Sequence, residues 1–215
     1  MLFRSEMEPM HEAAQYGDIQ ALRAALQDGA KIDATQSRTL LQAPRLARLG
    51  IKVDDDRTPL QAAVQAGHLE AAKFLLEQKA SVHVPGCYRG ESALHTAAGD
   101  EDPDQVELVK ILLEHGADKH IDAQDTEGWT ALMRAAQQGH VETVKLLLKY
   151  QADVELKASG GMLPVNGIGI DGVAVRASSA TALDIAQFSE RAAVIRALRL
   201  HLLTNGTAVA IDVSN

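Results

Sequence analysis

The chain has 215 residues, of which 46 % are hydrophobic and only 3 % aromatic. It is long enough to bury a sizeable core, and its low aromatic content favours packed helices over a β-sandwich. Its formal net charge of -8 opposes nucleic-acid binding, which needs clustered Lys and Arg. The single cysteine, Cys87, cannot form an intramolecular disulfide, and the sequence contains neither a signal peptide nor an apolar run of membrane-spanning length. We therefore expect a soluble cytoplasmic protein that binds neither nucleic acid nor membrane.

One sequence pattern returns five times along the chain. Each copy has a short apolar run with an Ala-Ala or similar small pair, and then a second run rich in Leu. The copies begin at Pro9, Thr58, Ser92, Thr130 and Thr181. Each copy therefore predicts two short helices, and neither helix could bury its apolar face alone.

The boundaries of the predicted helices follow from local chemistry. The Ser or Thr that opens a copy can cap the first helix with its hydroxyl, and Pro59 suits the first helical position. Gly67 and Gly139 fall where a helix needs a left-handed terminating residue. In the second helix, Val144, Leu147 and Leu148 have the spacing of one buried face, so we expect Leu147 to lie between neighbouring copies.

The clearest copy is TALMRAAQQGHVETVKLLLKYQADVE, from Thr130, and it resembles the ankyrin repeat family. Thr58 to Ala80 matches the same motif closely, Ser92 to Asp118 matches it with insertions, and the terminal copies match loosely. The resemblance implies an all-α ankyrin repeat solenoid of about five helix-turn-helix units joined by β-hairpin loops. It further implies a binding module with no enzymatic activity, no cofactor and no metal.

The spacing of the copies defines the predicted domain organisation. Two junctions carry about 17 or 18 residues beyond the usual repeat of about 33. We predict a single ankyrin domain over residues 1–203 and a flexible tail over 204–215. The predicted repeats are approximately 6–33, 54–83, 88–120, 125–155 and 178–201, and the insertions are approximately 34–53 and 158–177.

The first insertion, 34–53, is basic. Its cations are Arg38, Arg45, Arg48 and Lys52, and no acid follows until Asp54. One interpretation is a basic patch for an acidic partner. The other is a short surface helix that docks on the solenoid through its leucines, with the arginines facing water.

The second insertion contains VNGIGIDGVAV, with glycines at 167, 169 and 172 in the spacing of a dinucleotide-binding fingerprint. The glycines are followed by a strand-like run instead of a helix, so the phosphate-binding helix N-terminus is missing. Asp171-Gly172 is a hairpin turn signal, which predicts a β-finger over 163–176.

Motifs for chemistry are incomplete. His11-Glu12-Ala-Ala-Gln15 lacks the second histidine of a zinc-protease helix, and the acidic run 100–104 lacks the glycine and glutamate of a calcium loop. Cys87 has no spaced His and acid around it. We interpret His11, His68 and His140 as structural residues of the repeats.

In the ankyrin architecture the partner meets the hairpin tips and the exposed side of the first helices. The resemblance places these residues there: Asp54, Asp55, Arg57, Gln65, Tyr88, Arg89, Glu91, Thr126, Glu127, Trp129, Gln137 and Gln138. Trp129 is predicted to be an exposed anchor for a protein partner. We expect a monomer, and delivery to another cell stays open.

Two other functions remain as alternatives. The 163–176 finger could pair edge to edge between copies in a homo-oligomeric structural protein. The two insertions could instead build a ligand-binding or catalytic pocket.

Overall fold

A computed structural model describes residues 9–35, 57–86, 90–100, 105–160 and 179–204. Within these ranges the secondary structure is helical, which agrees with the predicted all-α class. The chain divides into two compact units, Met1–His120 and Ile121–Asn215. The predicted limits of the single domain and of its repeats stay a prediction. Residues 36–53 of the first insertion, the predicted finger at 163–176 and the tail beyond Thr204 lie outside the described residues.

The first unit contains three pairs of helices among its described residues. They are α1 (Pro9–Gln15), α2 (Ile19–Gln27), α3 (Pro59–Gln65), α4 (Leu69–Glu77), α5 (Ala93–Gly99) and α6 (Gln105–Glu114), followed by a 3₁₀ turn at Ala117–His120. The first helices of each pair, α1, α3 and α5, pack on one another in series. The second helices, α2, α4 and α6, do the same, so the unit has two helical layers.

The second unit repeats this arrangement with two pairs among its described residues: α7 (Ala131–Gln138), α8 (Val141–Lys149), α9 (Ala182–Phe188) and α10 (Ala192–Thr204). Helix α7 packs on α9, and α8 packs on α10. Leu147 of α8 is fully buried, as its spacing predicts, and so are Ile185 and Leu198. Burial of such leucines against the next pair supplies the stability that a two-turn helix lacks by itself.

The first helices begin at the predicted caps. The hydroxyl oxygens of Thr58, Thr130 and Thr181 accept hydrogen bonds from backbone N–H groups of the first turn at 3.2–3.3 Å. Pro59 occupies the first turn of α3. At Ser92 the hydroxyl instead contacts Nδ1 of His95 at 2.8 Å. Each hydroxyl cap is worth about 1 kcal/mol, so the sequence itself positions these helix starts.

The first helices α1, α3, α7 and α9 are each followed by a residue in the left-handed conformation, whereas α5 is not. Gly67 and Gly139 have φ of 71° and 87°, which confirms both predicted terminators. The same position in the last repeat is held by Glu190, whose φ is 56°. A residue with a Cβ adopts this conformation at a cost, so the turn geometry is kept there against the local preference.

Candidate partner-binding surface

The prediction that Trp129 is an exposed anchor is wrong. Its side chain is only 2 % exposed. The indole Nε1 donates a hydrogen bond to the carbonyl of Gly160 at 3.2 Å, and the Arg134 guanidinium carbon lies 5.1 Å from the ring centroid. Trp129 is therefore a core residue of the second unit, covered by the loop at 157–160 that leads into the second insertion.

The turn before Trp129 is held by a buried carboxylate. Asp125 accepts hydrogen bonds through Oδ1 from the backbone N–H groups of Glu127 at 2.8 Å and Trp129 at 2.9 Å. Its Oδ2 accepts from Nη2 of Arg134 at 2.7 Å. Because this ion pair is buried, it fixes the conformation of the turn, and removing one partner would leave a buried charge.

The loop at 157–160 is hydrogen-bonded to the same turn. The carbonyl of Glu127 accepts hydrogen bonds from the backbone N–H groups of Ser159 at 3.1 Å and Gly160 at 2.8 Å. Gly128 has a φ of 76°, and a Cβ at that position would collide with Ser159. The hairpin tip of this repeat is therefore a packed junction, in which only Thr126 of the predicted residues is exposed.

The structure places the other predicted surface residues as follows. Gln65 is exposed, whereas Arg57, Glu91, Glu127, Gln137 and Gln138 are half-buried. Asp54, Asp55, Tyr88 and Arg89 lie outside the described residues. The predicted set is thus split, and its most exposed described members are Gln65, at the end of a first helix, and Thr126.

Two aromatic side chains that were not predicted lie at the ends of first helices. Tyr16, which follows α1, is 71 % exposed, and Phe188, at the end of α9, is 47 % exposed. In their repeats they occupy the positions equivalent to Gln138 and Gln137. A register comparison of the copies could have found them, because those positions were already predicted to be exposed.

Such residues form a surface on each compact unit, and we call these surfaces the first-helix ends. In the first unit the surface consists of Gln15, Tyr16 and Gln65, and in the second unit of Gln137, Gln138 and Phe188.

Side chains of the next repeat hold the backbone at the first-helix ends. His68 Nε2 lies 3.0 Å from the carbonyl oxygen of Gln15, and Nε of Arg191 donates to the carbonyl of Gln137 at 3.0 Å. His68 and Arg191 occupy equivalent repeat positions, ten residues after the cap residue. The structural role predicted for His68 is confirmed, and the arginine performs the same task in the last repeat.

A second series of bonds joins the starts of the first helices to the next repeat. His11 Nε2 lies 2.9 Å from the carbonyl oxygen of Arg57. At the same repeat position, Gln61 donates through Nε2 to the carbonyls of Val84 at 2.9 Å and Glu91 at 3.0 Å. Its Oε1 also accepts from the backbone N–H of Thr58 at 2.8 Å. The structural role predicted for His11 is confirmed, and a glutamine replaces it in the next copy.

The outward side of the second helices carries charges that pair within each helix. Glu70 and Lys73 lie 2.9 Å apart, and the equivalent pairs Glu107–Lys110 and Glu142–Lys145 lie 3.3 and 2.7 Å apart. The hydrogen bond to Glu70 raises the pKa of Lys73. Such exposed pairs contribute little to stability, and they leave a charge-balanced, hydrated face.

Two histidines in the hairpin loops of the first unit lie in ring contact. The ring centroids of His83 and His120 are 4.0 Å apart, and both side chains are exposed. Partial burial lowers the pKa of His83, and so do His120 and Lys119, while Asp118 acts in the opposite direction.

Backbone hydrogen bonds join the residues at the two ends of the second insertion. The backbone N–H of Ala158 donates to the carbonyl of Ala180 at 2.9 Å, and the N–H of Ser179 donates to the carbonyl of Ala158 at 2.7 Å. These bonds bring the two ends of the insertion together without using the finger itself.

In the part of the chain that the structure describes, no three His, Cys, Asp or Glu side chains form a group that could hold a metal. No helix of that part is both long and apolar enough to cross a membrane.

The chain matches the family model of ankyrin repeats (3 copies) over residues 10–123, 85–158 and 119–205. Human ankyrin repeat domain-containing protein 63 is 36 % identical over 111 residues, which cover 51 % of this chain and 28 % of that protein. The potassium channel AKT1 of Arabidopsis thaliana is 41 % identical over 87 residues, or 40 % of this chain and 9 % of the channel.

The ankyrin repeat and KH domain-containing protein mask-1 of Caenorhabditis elegans is 31 % identical over 162 residues, covering 69 % of this chain and 6 % of that protein. The chain therefore spans less than a third of the length of each of these relatives. The family matches run from residue 10 to residue 205 and agree with the packed helix pairs, and the chain belongs to the ankyrin repeat family.

Proposed function

We propose that this chain is a non-enzymatic binding module that holds a protein partner through the first-helix ends and the neighbouring hairpin loops. Ankyrin repeats are generally protein–protein interaction modules, and the chain carries that repeat from residue 10 to 205. The observation that carries the proposal is the exposure of Tyr16 and Phe188, 71 % and 47 %.

Aromatic side chains dominate binding energy at protein interfaces, because each buries a large area with few rotatable bonds. His68 of the second repeat contacts the carbonyl of Gln15, next to Tyr16. Arg191, three residues after Phe188, donates to the carbonyl of Gln137 in the preceding repeat. Both contacts restrain the backbone of the first-helix ends before binding. A rigid surface loses less conformational entropy when it forms a complex. The second-helix face offers charges already paired within their own helices, so it has less to gain from a partner.

The test begins with affinity capture from a native lysate and identification of the bound protein. Titration calorimetry then compares the wild type with Tyr16→Ala and Phe188→Ala. We expect at least one substitution to weaken binding by more than about 1 kcal/mol, with the melting temperature nearly unchanged.

The matched controls are Lys110→Ala in the first unit and Lys145→Ala in the second, both on the second-helix face. They should alter the affinity by less than about 0.5 kcal/mol. If the lysine variants weaken the complex and the aromatic variants do not, the partner uses the other face and the proposed surface is wrong.

The proposal treats the module as a cytoplasmic monomer. Light scattering at high concentration should give the mass of one chain, 23.0 kDa. A dimer that disappears when the 163–176 segment is replaced would instead favour pairing through the finger.

A further inference from the structure

One position in the hairpin loops holds a carboxylate in one repeat and an imidazole in others. Three residues after the alanine that follows the second helix, the first repeat has Asp33, and the second and third have His83 and His120. Asp33 Oδ1 accepts a hydrogen bond from the backbone N–H of Ser81 in the next repeat at 2.8 Å. In the third repeat, where Lys119 and His120 lengthen the loop, Asp122 takes that role, accepting from Asp153 at 2.8 Å.

The second repeat therefore has an imidazole where the first repeat has a bridging carboxylate. Because successive repeats of a unit stack, their hairpin loops are neighbours, and His120 in the lengthened loop of the third repeat lies beside His83, with ring centroids 4.0 Å apart and an interplanar angle of 56°. Both side chains are exposed, so their torsions can adjust without disturbing the core. The 3₁₀ turn Ala117–His120 holds the second ring at the end of a short, ordered segment.

We propose that His83 and His120 form a bidentate site for a borderline transition-metal ion such as Ni²⁺ or Zn²⁺, with water completing the coordination. Neutral imidazole is a preferred ligand of these ions. Once one ring binds, the second bond forms within the same molecule at a high effective concentration. The ion links the loops of two successive repeats, as Asp33 links the first loop to the second repeat through a hydrogen bond.

A site with two protein ligands differs from a structural zinc centre. Structural centres close four protein ligands around the ion. Among the described residues no group of three or more metal-binding side chains occurs, so the site proposed here exchanges its ion with solvent.

The test is titration calorimetry of the full chain with NiCl₂ at pH 7.5. The wild type should bind one Ni²⁺ at this pair, and His83→Gln and His120→Gln should each weaken that affinity by about tenfold or more, because a chelate becomes a single bond. Glutamine keeps a polar side chain of similar size, and far-UV circular dichroism checks that each variant stays folded.

The chain has eight histidines, so the control is His201→Gln on α10, which belongs to the other compact unit. This variant should bind Ni²⁺ as the wild type does. Equal affinity in the wild type and in both pair variants would overturn the proposal, and so would a loss confined to His201→Gln.

Thermal unfolding supplies a second measurement. An ion that binds the folded chain raises the melting temperature by mass action. The increase with NiCl₂ should therefore be present in the wild type and in His201→Gln, and clearly smaller in both pair variants at the same NiCl₂ concentration. An equal increase in all four proteins would contradict the proposed site.

Discussion

Trp129 and Tyr16 are aromatic residues that flank two different first helices, one before the start of α7 and the other after the end of α1. One side chain is buried and the other is exposed. Trp129 precedes the cap of α7 and is buried, while Tyr16 follows the end of α1 and is 71 % exposed. The loop 157–160, which leads into the second insertion, covers the start of α7, and its Gly160 carbonyl accepts the indole N–H. At the end of α1 the next repeat contributes His68, which contacts the backbone and leaves the tyrosine ring exposed.

The difference shows that the two ends of a first helix have different roles in this protein. The start of α7 is part of the junction between repeats, where an aromatic side chain serves stability. The ends of α1 and α9 face outward, where an aromatic side chain is available to a partner. Under the proposed function, the aromatic anchor for a partner is therefore expected at the ends of the first helices and not at Trp129.

The largest expected effect concerns the buried member of this comparison. Trp129→Ala should lower the free energy of unfolding by about 3–5 kcal/mol, because it leaves a cavity between α7 and the 157–160 loop. Tyr16→Ala, the matched exposed aromatic, should change it by less than about 0.5 kcal/mol. Denaturant unfolding of both variants measures the difference. Equal losses of unfolding free energy would contradict the different roles assigned to the two helix ends.

Gly128 tests how closely the 157–160 loop covers the turn. Gly128 has a φ of 76°, and the Cβ that Gly128→Ala adds would collide with Ser159. We expect a loss of more than about 1 kcal/mol, from backbone strain and the collision together. Gly29→Ala is the control, because φ there is 88° but no atom lies within 4 Å of the added Cβ. The same loss in both variants would mean that the loop gives way.

Glu190 tests the exposed end of α9. Glu190→Gly should raise the free energy of unfolding by roughly 0.5 kcal/mol, since glycine relieves the positive φ but loses more entropy on folding. Glu190→Ala, which keeps the strained conformation, is the control and should not stabilise the protein. If both variants gain stability equally, the cause is the lost charge and not the backbone.

The smallest effect is expected from the 163–176 segment. Its replacement by a short Gly-Ser linker should change the free energy of unfolding by less than about 1 kcal/mol, because the closing bonds of Ala158 remain and loop-length effects are small. Thermal unfolding of the shortened chain measures this. A large loss would show that the segment contributes to the stability of the fold.

The sequence alone determined the local features of this protein. The caps at Thr58, Thr130 and Thr181 and the glycine ends at 67 and 139 were predicted correctly, because each depends on a residue's own hydroxyl or its own backbone freedom. Repetition of the pattern then gave the helix pairs and the family, since each pair needs a neighbour to bury its face.

The tertiary structure decided which side chains are exposed. Burial of Trp129 depends on Gly160 and Arg134, and nothing in the residues adjacent to the tryptophan indicates that the later loop folds over it. Exposure of Tyr16 depends equally on what the next repeat leaves uncovered, and Phe188 is exposed in the last repeat. Solvent exposure depends on contacts between repeats, whereas caps and turns are properties of a few consecutive residues, so only caps and turns follow from the local sequence.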